Sequence, residues 1–291
     1  MKLRHHHAVW LMVLVALLWS TAGVATRHLE HARTFEVTFW RALFAALSLV
    51  VILPLFQGRA LFDKIRNASP VLWVSGFCWA TMFTAYMVAF TLTTVGNVLV
   101  ILSVGPLLTA IVARILIGYR VPARTWAAIV VAGAGMTYMF AAQLGTASMM
   151  GSLVALTIPL AAAVNWTISQ HAHDQGHELD LVPAVLVGAI LSALATSMLA
   201  YPFQANAHDI TLLGLLGVFQ LALPCVLCMV AARVLQAPEI SLLQLLEVIF
   251  GILLAWLGAG EVPGLPVLLG GTLVIGALVA NEWIGWNAKA A

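Results

Sequence analysis

The chain has 291 residues, 63% of them hydrophobic and only 8% charged, with a mean hydropathy of +1.03. A soluble domain carries about 25% charged residues, so this composition excludes a soluble globular protein and points to an integral membrane one. The net charge of +2 gives no sign of a nucleic-acid partner, and Cys78, Cys225 and Cys228 all lie in apolar runs, as packing residues rather than disulfides or metal ligands.

Ten apolar runs follow in chain order, each near the ~20 residues that a bilayer requires. They cover 8–26, 35–56, 70–91, 95–117, 122–142, 149–171, 181–203, 211–234, 239–258 and 264–286. The first reads as a span rather than a secretory leader, because comparable runs recur along the whole chain. Gly, Pro or charge separates the runs, as at Gln57-Gly58, Ser69-Pro70, Val121-Pro122, Ala237-Pro238 and Val262-Pro263-Gly264. No linker is long enough to hold a further domain. Lys2, Arg4, Arg59, Lys64, Arg66, Arg120, Arg124, Arg233 and Lys289 fall on one side, against Arg27 and Arg33 on the other. The bias of Lys and Arg toward the cytoplasm therefore predicts that both termini are cytoplasmic.

The ninth run, Glu239 to Leu257, holds a carboxylate, Glu247, near its middle. Ser241, Gln244 and Glu247 follow at three-residue steps, which on a helix form a slowly drifting stripe. A charge at the centre of a span costs roughly 2.5–3.5 kcal/mol on insertion scales. Such a stripe is tolerable facing other helices or a wet cavity, and an intramembrane carboxylate is by default a functional-site hypothesis. Two roles stay open for Glu247: pairing with a substrate ammonium group, or carrying a proton.

The halves of the chain resemble each other. A shift of 142 residues brings Ala89 onto Ala231, Ala113 onto Ala255 and Gly118 onto Gly260, and a shift of 147 brings Trp19 onto Trp166. Five spans per half is an odd number, so the halves insert in opposite directions. Inverted repeats of this kind occur in transporters, with the substrate site near the midplane between them. The expected fold is an all-α integral membrane protein of ten transmembrane helices, arranged as two inverted five-helix repeats, 1–147 and 148–291. The polar stripe Ser241, Gln244, Glu247 corresponds to Leu99, Leu102 and Gly105, so it exists in one half only.

Leu18-Trp19-Ser20, Trp40-Arg41-Ala42-Leu43, Ala89-Phe90, Ser103 to Pro106, Leu246-Glu247 with Phe250, and Gly260-Glu261 together resemble the EamA family of the drug/metabolite transporter superfamily. The resemblance covers essentially the whole chain. Leu17-Leu18-Trp19-Ser20-Thr21 and the length are similar to YddG-type amino-acid exporters within it. Two positions depart from the pattern. Val248 stands where proline is usual, which removes the expected reason for a kink in the ninth span. Tyr119 stands where the first repeat usually has glutamate. The resemblance implies export of small organic metabolites, amino acids foremost and aromatic ones among them, by alternating access across a bacterial inner membrane. Other small solutes, proton-coupled import and a channel are the alternatives.

Several residue types fit that activity. Interrupted helices expose backbone groups near the midplane, and Gly105, Pro106, Pro159 and Pro224 lie well inside the fourth, sixth and eighth spans as candidate hinges. Ser20, Asn97, Ser103, Asn165, Gln220, Ser241, Gln244 and Glu247 are polar residues at comparable depth. Each is either a substrate contact or an interhelical hydrogen bond, the latter worth about 0.6 kcal/mol on average in a membrane. Trp19, Trp79, Tyr86 and Trp166 offer large apolar rings with polar tips, suited to amphipathic solutes, and Met82 with Met87 would adapt to several shapes. Arg41, about one turn inside the second span, either snorkels or pairs with Glu30 or Glu36, or acts as a gate attracting a substrate carboxylate. His171, His173, Asp174, His177, Glu178 and Asp180 read as a solvated loop rather than a metal site. No nucleotide loop, dinucleotide fingerprint or nucleophile elbow is found, so no enzyme activity and no cofactor are expected. The expected partners are a small-molecule substrate and the lipid bilayer, with the proton a candidate coupling ion and the protein a monomer.

Overall fold

A computed structural model gives the fold and describes residues 4–26, 28–57, 65–66, 69–93, 95–141, 148–175, 180–259 and 264–290. Lys2, Arg27, Arg59, Lys64, His177, Glu178, Gly260 and Glu261, named above, lie outside the described residues.

Every described element is helical. In chain order they are α1 (His5–Thr26), α2 (Thr34–Gln57), α3 (Pro70–Leu92), α4 (Val95–Leu102), α5 (Gly105–Ile117), α6 (Ala123–Phe140), α7 (Met149–Asp174), α8 (Val182–Ala200), α9 (Ala207–Leu215), α10 (Leu223–Ala231), α11 (Ala237–Gln244), α12 (Leu246–Ala259) and α13 (Leu265–Ala290). A π-helical segment, Leu216–Ala222, joins α9 to α10. Among the described residues nine spans are long and apolar enough to cross a membrane, and several of them combine two or three of these helices. The tenth, α6, has 18 residues and carries Arg124 in its first turn. Helix is the open choice for chains of this composition, because a bilayer core leaves no other partner for backbone N–H and C=O groups. Local chemistry sets the ends. Pro70 begins α3, Gly118 closes α5 at φ 65°, and Ser148 and Asn206 cap α7 and α9 through their side-chain oxygens.

Contacts at the two ends of the bundle follow an up-and-down path. At the end that carries the termini, His5 meets Glu239, Arg124 lies 3.7 Å from Glu239, and Arg233 pairs with Asp180. At the other end, Asp209 accepts backbone N–H groups from Glu30, His31 and Ala32, and Glu36 accepts those of Gln204 and Ala205. All the residues at each end come from the same side of a ten-span count.

The halves interlock rather than sit side by side. α3 packs on α7 and α8, α2 on α8, α5 on α7, α1 on α12, and α6 on α13. The α6–α13 pair is close because Gly135 and Gly270 face each other. A Cβ on Gly270 would lie 2.3 Å from Met139 Cγ and 2.5 Å from the Gly135 carbonyl oxygen. The outer surface is apolar: Met198 is 89% exposed and Leu257 80%. Such faces suit lipid rather than water.

Three details differ from expectation. The sixth span is not interrupted, since α7 runs unbroken through Pro159. The eighth is not broken at Pro224, which sits in the first turn of α10; its irregularity is the π segment just before. The ninth, although it lacks the family proline, breaks at Leu245. There the Leu245 N–H bonds to Leu242 and the Val248 N–H to Leu245, a tightening into three-residue turns that needs no proline. In addition, His171, His173 and Asp174 belong to the last turns of α7, not to a loop.

Candidate functional site

A cavity of about 800 Å³ lies between the halves. It is lined from both: Trp19, Arg41, Trp79, Tyr86, Leu99, Leu102 and Gly105 from the first, and Pro159, Gln220, Cys225, Ser241, Gln244 and Glu247 from the second. Leu29 and Ala32, in the connection between α1 and α2, also border it, whereas no described residue of the connections on the terminal face does. The cavity thus reaches from mid-depth toward the face away from the termini. Beneath it the hydrophobic core continues through Ala8, Met12, Val15, Leu235 and Ile240, and the buried carboxylate of Glu239 closes the terminal end.

Local structure explains which side chains reach the space. On α3, Trp79, Met82, Phe83, Tyr86 and Met87 recur at three- and four-residue steps and form one face. On α2, Thr38, Arg41 and Ala42 do the same. The fourth and ninth spans are both interrupted at mid-depth, so α5 and α12 each begin there, with Gly105 and Glu247 in their first turns. Helix N-termini carry partial positive charge.

Two charged groups stand at this cavity. Arg41 is 6% exposed, and its Nη2 donates to Gln220 Oε1 at 2.5 Å while Nη1 donates to Met87 Sδ at 3.3 Å. Its Nε has no partner among the described residues. The Tyr86 hydroxyl donates to Glu247 Oε1 at 3.4 Å. No ion pair of Arg41 or Glu247 occurs among the described residues. The arrangement is a cation held by neutral groups and a carboxylate held by a phenol, in a chamber walled by aromatic and apolar side chains. Holding two opposite charges in an apolar setting without a direct ion pair is costly, and a solute carrying both charges would bridge them.

Of the residues singled out from the sequence, Trp19, Ser20, Arg41, Trp79, Met82, Tyr86, Gly105, Pro159, Gln220, Ser241, Gln244 and Glu247 border the cavity. Trp166 lies behind the wall, fully buried. It meets Trp79 edge-on at 5.5 Å and donates from Nε1 to Gln244 Oε1 at 3.0 Å. Asn97, Ser103 and Asn165 are turned elsewhere. Asn97 donates to Thr93 and Ser152, Ser103 to the Val100 carbonyl, and Asn165 accepts from Ser75. Asn97 meets Ser152 near the start of α7 and Asn165 lies far along the same helix, so the two differ in depth, and all three side chains serve helix packing. Pro106 and Pro224 do not line the space. Sequence reasoning passed over Thr38, Phe83, Phe140 and Cys225. The signal for Thr38 and Phe83 is their helical spacing from Arg41 and from Trp79. Cys225 gives no such signal and was read as packing, which its burial also fits.

The EamA-like transporter family model matches the chain twice, over residues 6–141 and 149–281. A solved crystal structure shares the fold, with a TM-score of 0.76 at 16% sequence identity, covering 97% of this chain and 98% of that one. In all, 29 solved chains match. No curated protein sequence matches.

Proposed function

Since the chain belongs to the EamA-like transporter family, and so is a multi-pass membrane transporter of small solutes, we propose that it exports amino acids, aromatic ones among them, by alternating access across a bacterial inner membrane. The observation that carries this reading is the presence of opposite charges, Arg41 and Glu247, with no direct ion pair between them, at one aromatic-walled cavity. A zwitterion offers a carboxylate to the guanidinium, which favours planar bidentate acceptors, and an ammonium group to Glu247. The side chain of the solute then meets Trp79, Met82 and Phe83. A volume of about 800 Å³ falls in the range of small-molecule pockets.

The contacts between the halves support alternating access. Among the described residues the cavity borders a connection on one face only, and Glu239 ties α11 to His5 of α1 and Arg124 of α6 at the other. Opening toward the termini requires those contacts between halves to part while the carboxylate and backbone contacts of Asp209 and Glu36 hold or close the opposite end. In this reading, with the termini cytoplasmic as the Lys and Arg bias supports, the cavity opens outward.

The test is uptake by the purified protein in liposomes, against a panel of amino acids, the corresponding amines and nucleobases, with and without a pH gradient. The reading expects saturable uptake of amino acids that exceeds uptake of the amines. Equal uptake of amines and nucleobases would overturn the substrate assignment. Stimulation by the gradient would assign Glu247 the proton as well. A steady single-channel current would replace the transporter mechanism with a pore.

A further inference from the structure

The π segment Leu216–Ala222 is a local irregularity in the eighth span. Its wider turn is visible where the Leu223 N–H reaches back to the Val218 carbonyl. Isolated π turns cost helix stability and concentrate at functional sites. This one touches Arg41 twice. Gly217 lies against the backbone of α2, where a Cβ would come within 2.7 Å of the Arg41 carbonyl oxygen and 2.8 Å of Phe44 Cβ. Gln220 then meets the Arg41 guanidinium. The amide of Gln220 is used at both ends: Oε1 accepts from Arg41 Nη2, and Nε2 donates to the Trp19 carbonyl at 3.2 Å. Flipping the amide would set two donors against each other and two acceptors against each other, so its orientation is fixed by its surroundings.

A guanidinium has five N–H donors. Gln220 takes one and the weak sulfur acceptor of Met87 another. Neither partner is charged. We propose that Gln220 is a positioning residue for substrate recognition: presented by the π turn, it aims the Arg41 guanidinium without neutralising it, and so keeps the cation available for the carboxylate of the solute. Glutamate at 220 would pair with Arg41 permanently and compete with that carboxylate. The inference rests on the amino-acid reading above and adds to it a residue that acts through Arg41 rather than on the solute.

The experiment compares L-phenylalanine with 2-phenylethylamine, which has the same ring and ammonium group but no carboxylate. Dissociation constants are measured by calorimetry on the full-length protein and on Gln220→Met and Gln220→Glu. For Gln220→Met, the ratio of the L-phenylalanine constant to the amine constant should rise roughly tenfold, the size of one hydrogen bond to a charged group. For Gln220→Glu it should rise further, and this variant keeps an acceptor for Arg41 should the methionine variant fail to fold. Equal changes for both ligands would reduce Gln220 to a packing role and overturn the proposal, as would unaltered L-phenylalanine binding by Gln220→Glu. Wild-type protein that binds neither probe would instead defeat the amino-acid reading, and this inference with it.

Discussion

Leu99, Leu102 and Gly105 in the first half correspond, at a shift of 142 residues, to Ser241, Gln244 and Glu247 in the second, and all six border one cavity. The breaks just beside them correspond too. Ser103, between α4 and α5, matches Leu245, between α11 and α12. One stripe is apolar and the other polar, yet the backbone does the same thing in both. The break is therefore a property of the repeat, while the polar stripe beside it belongs to one copy. Glycine and proline accompany the break in the first half, whereas the second achieves it with Leu245 to Val248. Val104 caps α5 without a side-chain hydrogen bond, and α12 has Glu247 in its first turn, where a carboxylate complements the helix dipole.

The sharpest way to break this comparison is to erase the charge from the polar stripe. Glu247→Gln should lower amino-acid uptake in liposomes on the order of a hundredfold, the scale of removing one member of a buried charged contact. The protein should stay monodisperse and helical by gel filtration and circular dichroism, because glutamine can still accept from the Tyr86 hydroxyl. Full uptake by the folded variant would mean that the polar half is architecture like its counterpart. The next effect concerns the opposite charge. Arg41→Lys keeps the cation but loses the planar fork, so KM for an amino acid should rise roughly tenfold while KM for its amine changes little. An unaltered KM would place the carboxylate elsewhere, with the bare start of α5 the next place to look.

How much of this could be read from the sequence differs between depth and direction. Ten apolar runs of bilayer length give the spans, since a 1.5 Å rise per residue fixes how much chain must be apolar. Counting along a run also gives depth, so Glu247 and Gln244 were legible as mid-membrane groups and Arg41 as a cation about one turn inside its span. Azimuth was not. A helix that is apolar all round has no amphipathic stripe to say which way it faces, and Asn97, Ser103 and Asn165 proved to face packing partners. Nor was the π segment legible, because it depends on Gly217 meeting the backbone of α2, a contact distant in sequence. Proline was a poor guide in both directions. Pro159 sits in an intact helix, and the ninth span breaks without a proline.

Smaller substitutions sharpen the comparison further. Trp166→Phe removes the hydrogen bond from Nε1 to Gln244, which joins α7 to the end of α11, but keeps a ring against Trp79. Such bonds average about 0.6 kcal/mol in membranes. The expected cost is therefore about threefold in KM, read from uptake, with little change in melting temperature. A loss as large as that of Glu247→Gln would make Gln244 a principal contact rather than an oriented wall.

The mirror experiment on the apolar stripe should have the smallest effect. A Cβ on Gly105 would lie 3.4 Å from Ser241 Oγ and 3.5 Å from Pro159 Cβ, ordinary contact distances for an added methyl. The φ angle there lies outside the range reserved for glycine, since Gly118 is the one glycine with positive φ among the described residues. Gly105→Ala should consequently fold normally and change KM by less than about twofold, since the methyl adds only a little volume at the wall of a cavity already mostly apolar. Uptake kinetics measured beside Glu247→Gln decide the matter. If adding a methyl at 105 costs as much as removing a charge at 247, then backbone access at the start of α5 contributes to recognition, and the two halves share the chemistry as well as the break.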